Sequence, residues 1–128
     1  MLTLKTDKVI SMTRSSLSAL VVSALLLAGC APHPATGNWV PAEGDESGFV
    51  RIHVQYDGKT DIYRPGEAAA AFRCFWAGES GAVIGLQCVL AENTDIEKHF
   101  KLNVTADQGA RLEAAGKVIG FYRRSASN

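Results

Sequence analysis

The sequence predicts an all-β domain, a small antiparallel meander or barrel of seven to eight strands. Two observations carry this. Apolar and polar residues alternate through Phe49–Tyr56 and Lys98–Val104, the period of half-buried strands, and Ala82–Ala91 is apolar on both faces, as in a central strand. Turn signals separate these stretches at Asp57-Gly58, Arg64-Pro65-Gly66-Glu67, Gly78-Glu79-Ser80-Gly81, Asp107-Gln108-Gly109 and Gly116, as in sheets whose neighbours follow one another in sequence. One segment competes. The alanines of residues 68–71, after Pro65 and Glu67, suit a helix start and leave an α+β alternative with a helix near 67–76. Phe72-Arg73-Cys74-Phe75-Trp76 suits a strand, which is preferred from about Ala70.

The chain opens with a leader. Ala19–Leu27 is apolar apart from Ser23, about ten residues against the roughly 20 needed to span a bilayer as a helix. With Arg14 as cationic flank and small residues at its end, it reads as a signal peptide over residues 1–29. Leu27-Ala28-Gly29-Cys30 resembles the lipobox of bacterial lipoproteins. The resemblance implies a diacylglycerol thioether on Cys30, cleavage between Gly29 and Cys30, and acylation (palmitate) of the new amino terminus. Ala31, where an Asp would resemble an inner-membrane retention signal, implies delivery to the outer membrane. The domain would then face the periplasm, with the lipid on Cys30 as its membrane contact.

Residues 30–37, with Pro32 and Pro34, are expected to form an extended tether reaching roughly 25 Å. A single β domain over 38–124 and a frayed tail over 125–128 complete the chain. Gly37-Asn38-Trp39 begins a short strand, cut off by the polar, turn-rich segment Pro41–Gly48. Val50, Ile52, Val54 and Tyr56 should share the buried face of the next strand. At Asp57-Gly58 two registers compete: a two-residue turn sets Ile62 opposite His53, whereas a three-residue loop with a bulge sets it with Val54. Ile84, Leu86, Cys88 and Leu90 share one face of a central strand. Glu92–Glu97 reads as a polar loop, and Lys98–Val104 as a strand with Phe100, Leu102 and Val104 inward. Short strands over Arg111–Glu113 and Lys117–Arg123 finish the sheet.

From Cys30 onward the 13 basic residues lose Lys5, Lys8 and Arg14, and the 13 acidic ones lose Asp7. The formal charge is then −2, with no basic patch, which argues against a nucleic-acid partner. Cys74 and Cys88 fall on the two arms of one predicted hairpin, in a chain expected to fold where disulfides persist. They are read as a bridge. Closing a loop of about 15 residues contributes roughly 3 kcal/mol on the chain-entropy account, a large share of the usual margin of about 5–15 kcal/mol.

Gly37-Asn38-Trp39 and a basic residue near the end, Arg123 or Arg124, resemble the Gly-x-Trp and late Arg of lipocalin-like barrels. That resemblance implies barrel closure by Trp39, with the guanidinium (assigned to Arg123) stacked on its ring. The bacterial inhibitors of serralysin-type metalloproteases are similar in size, early Gly-x-Trp, single disulfide and basic end, though not in cysteine placement. His33, His53 and His99 stand apart without metal-ligand spacing, and Ser80 in Gly-Glu-Ser-Gly reads as a turn residue. No catalytic residue, metal or cofactor is expected. Phe75, Trp76, Phe121 and Tyr122 lie on strands whose opposite faces are also apolar, so either one face lines a cavity or meets a partner, or both faces are buried within a closed barrel. The expected function is a non-enzymatic, outer-membrane-anchored lipoprotein binding a protein or cell-wall partner, with hydrolase inhibition as one version. The alternative is a lipocalin-like carrier of a small apolar ligand.

Overall fold

Eight strands, each antiparallel to the next, make up a computed structural model that describes residues 32–126. They are β1 (Gly37–Pro41), β2 (Arg51–Val54), β3 (Lys59–Tyr63), β4 (Phe72–Gly78), β5 (Val83–Leu90), β6 (Asn93–Val104), β7 (Gly109–Ala114) and β8 (Lys117–Arg124). The order follows the sequence, and β8 returns to pair with β1, closing a barrel. Closure removes the unpaired edges of an open sheet. Gly29 and Cys30 lie outside the described residues.

Strand alternation sends one set of side chains to the barrel axis. Trp39, Ile52, Val54, Thr60, Ile62, Phe72, Cys74, Ile84, Leu86, Cys88, Phe100, Leu102, Ala110, Leu112 and Tyr122 are all buried, so every strand contributes. An eight-stranded barrel is just wide enough for such side chains to fill it. Cys74 lies opposite Cys88 on β4 and β5, their Cα atoms 4.0 Å apart, and the two are joined by a disulfide.

Several local expectations change. No helix forms over 67–76: Pro65-Gly66 makes a turn, Ala71 N–H donates to the Ile62 carbonyl (2.8 Å), and Phe72 enters the barrel. A helix of so few residues has no stability of its own, whereas β4 is held on both sides. The β2–β3 connection is a three-residue loop, Gln55 N–H donating to the Lys59 carbonyl (2.9 Å) with Gly58 at φ 89°. Ile62 therefore faces Ile52, on the same side as Val54 but not opposite it. β2 ends at Val54, leaving Val50 and Tyr56 exposed in the loops. Residues 93–97, expected as a loop, extend β6 instead: Ala91-Glu92 is a tight turn and Asn93 pairs with Leu90. This extension is solvent-exposed throughout, so its polarity was no sign against a strand.

The ends of the barrel are plugged by different means. At one end the segment 33–36, expected as free tether, packs across the opening with Ala35 fully buried. Trp39 donates its indole N–H to the Ala35 carbonyl (2.9 Å). Arg124, not Arg123, stacks on the Trp39 ring at 4.4 Å. Alternation decides this: Tyr122 and Arg124 turn inward on β8, and Arg123 is exposed. The guanidinium also donates to the Thr36 carbonyl (2.6 Å), the Pro34 carbonyl and Gln108 Oε1 (2.9 Å). Gly37 makes room for it: its φ is 124°, and a Cβ there would lie 2.7 Å from Arg124 Nη1. At the opposite end the 42–50 loop inserts Phe49 edge-on against Phe72 and Phe100, at centroid distances of 5.8 and 6.0 Å. Asp45 Oδ1 accepts from Ser47 Oγ (2.8 Å), and Ser47 Oγ meets the Tyr122 hydroxyl, pinning the loop to β8.

Two outcomes follow from these interiors. Thr60 Oγ1 is fully buried with no hydrogen-bond partner among the described residues, a desolvation penalty of about 1–3 kcal/mol. Thr60→Val is expected to stabilise the domain by roughly 1 kcal/mol in chemical denaturation; a lower midpoint would contradict this. Burial, opposed by the Ser47 hydrogen bond and reinforced by Asp45, raises the Tyr122 phenol from 10.0 to about 12. The folded state then holds a proton that the unfolded state releases, so stability falls as pH rises from about 10 to 12. In Tyr122→Phe the part of that loss due to this phenol disappears, measurable by denaturant titrations across pH 9–12.

Candidate functional site

With the axis filled, chemistry is left to the outer wall. There β4, β5, β6 and β7 set their outward side chains in register. Phe75 lies opposite Gln87 and Gln87 opposite His99; Ala77, Gly85, Lys101 and Glu113 form the adjoining row. Between the rows runs an open groove of about 610 Å³, within the roughly 300–1,000 Å³ of small-ligand sites.

Its floor is low because Gly85 carries no side chain. Glu79, from the β4–β5 turn, lies across that glycine: a Cβ at Gly85 would stand 3.3 Å from Glu79 Oε1. Glu79 Oε2 ends 3.4 Å from Lys101 Nζ, an ion pair about half exposed. Such a pair contributes at most about 1 kcal/mol to stability, so the groove is held open by backbone register and not by its charges. Phe75 stands at one side with 70% of its surface exposed. Trp76 points the other way and is half-buried. Its indole N–H donates to the Gln55 carbonyl (2.7 Å), and its ring meets His33 at 5.7 Å.

The expected site residues are distributed differently. Trp39 closes the barrel, with Arg124 in the part assigned to Arg123. Cys74 and Cys88 are paired inside. His33 sits at the strap, its Nδ1 accepting from Ala35 N–H and its Nε2 facing the Ser80 carbonyl, each at 3.1 Å. His53 lies outward on β2 and His99 outward on β6, so the three histidines are not brought together. Among the described residues no group of three His, Cys, Asp or Glu is arranged to hold a metal ion. Of the four aromatics, Phe75 and Phe121 face solvent, whereas Tyr122 belongs to the core.

Sequence reasoning named Phe75 only as one of four aromatics on strands apolar on both faces, and missed the rest of the groove. Gln87, His99, Lys101 and Glu113 are ordinary outward polar residues on three strands, and only the register makes them neighbours. Gly85 did carry a signal, as an isolated glycine inside an apolar strand marks a close approach. Compared with known proteins, the chain matches no family model, no curated protein and no solved structure.

Proposed function

We propose that this chain is a non-enzymatic lipoprotein of a bacterial outer membrane, anchored by lipid on Cys30, with its barrel in the periplasm. The barrel binds a protein or cell-wall partner through its outer wall. The observation that carries the binding role is the contrast between a barrel axis filled from all eight strands and an outer groove that gathers an exposed aromatic with charges of both signs. A carrier of a small apolar ligand needs a chamber along the axis, so the outer wall is the better-supported surface.

Anchoring is supported by the leader and the Leu27-Ala28-Gly29-Cys30 sequence. Residues 33–36 of the expected 30–37 tether belong to the strap packed on the barrel. Several acyl chains hold a protein at a bilayer almost permanently, where one binds only marginally.

Cells fed radioactive palmitate test the anchor. The wild-type chain should take up label and sediment with membranes, and Cys30→Ser should lose both label and sedimentation. An unlabelled wild-type chain would overturn the anchoring. For the version in which the partner is a hydrolase, equimolar mixing with a lysozyme or a metalloprotease should reduce its activity; unchanged activity removes that version.

A further inference from the structure

We propose that the groove across β4–β7 binds a neutral glycan rich in N-acetylated amino sugars, with one pyranose face stacked on Phe75. This deepens the proposed partner-binding role, on which it rests, by selecting the cell wall over a protein.

A pyranose ring has an apolar C–H face and a rim of hydroxyls, and the groove offers the complement of each. Phe75 presents a flat ring, 70% exposed, on a strand paired on both sides. Beside it Gln87 provides an amide that can both donate to and accept from an acetamido group. The Glu79 carboxylate accepts hydroxyl protons, and the Lys101 ammonium donates to hydroxyl oxygens. Across the sheet from Lys101, Glu113 adds a second carboxylate. Carboxylates and ammonium are interspersed, so the groove has no single-sign field to draw in a polyanion or polycation. Its occupant is uncharged or nearly so.

Backbone pairing excludes one alternative, a peptide added to the sheet as an extra strand. A peptide laid on a sheet gains its affinity from main-chain bonds to an open edge. Here Phe75 pairs with Lys59 and Gln87, Gly85 with Ala77 and Lys101, and Lys101 with Gly85 and Glu113. The groove has no free ladder, and recognition has to come from side chains. Three interstrand spacings give it a width of about 14 Å, enough for a short oligosaccharide.

The test is titration of the full purified chain in detergent with tetra-N-acetylchitotetraose, with maltotetraose as comparison, by calorimetry. Saturable binding with a Kd below about 1 mM is expected. It should be weakened at least tenfold in Phe75→Ala, be unaltered in Phe121→Ala on β8, and be weaker for maltotetraose. Because Phe75 is outward, its variant should keep the wild-type melting temperature. Absence of saturation, or equal affinity in Phe75→Ala, overturns the glycan assignment. Should Phe75→Ala instead abolish binding to a purified protein partner while no sugar binds, the glycan is overturned and the partner-binding role stands. Loss of the palmitate result strikes only the anchor, since sugar binding is measured on the isolated chain.

Discussion

The stack of Arg124 on Trp39 is the contact on which the rest of the barrel depends. It joins the last strand to the first, at the seam where the sheet has to close on itself. A guanidinium over an indole is worth about 0.5–1 kcal/mol when exposed and about 2 when desolvated. Its larger effect is organisational. The same group donates to the carbonyls of Thr36 and Pro34, drawing the strap over the opening, while Trp39 fixes the strap's other side through Ala35. Gly37 fits this seam, since its φ of 124° disfavours other residues and a Cβ there would lie 2.7 Å from Arg124 Nη1.

The far end is closed chiefly by aromatic rings, with the Arg64 guanidinium 5.5 Å from the centre of the Phe72 ring. Phe49, Phe72 and Phe100 meet edge-to-face in a triangle, each pair within 6.0 Å, the arrangement that ring quadrupoles favour. The phenol of Tyr122 reaches the same loop from inside the barrel through Ser47 and Asp45. Between the plugs, the disulfide ties β4 to β5 in the middle of the core. A domain of this size buries little surface, so two closed ends and a covalent crosslink together offset a thin core.

Filling the axis has a functional consequence. A barrel whose interior carries the stability has nothing left to rearrange around a ligand, since core packing tolerates little change in volume. The outward residues are under no such demand. On the β4–β7 wall they assemble an aromatic ring, an amide, two carboxylates and an ammonium around the bare Gly85. Rigid paired strands hold that constellation more firmly than loops would.

By itself the sequence determined the all-β class, the number of strands within one, and the inward sets of β5 and the second half of β6, because a side-chain period of two is a local property. The Cys74–Cys88 pairing was legible for the same reason, both residues lying on one hairpin. The tertiary structure alone decided what depends on register between strands or on packing at a distance. It set Ile62 against Ile52, extended β6 back to Asn93 beyond the barrel, and folded the expected tether down as a strap. It chose Arg124 over Arg123, adjacent cations that no spacing rule separates until β8 is seen to turn one of them inward. The groove was illegible because its polar residues come from separate strands and look like solvated surface one at a time. Pairing across the sheet, a non-local interaction, makes them a site.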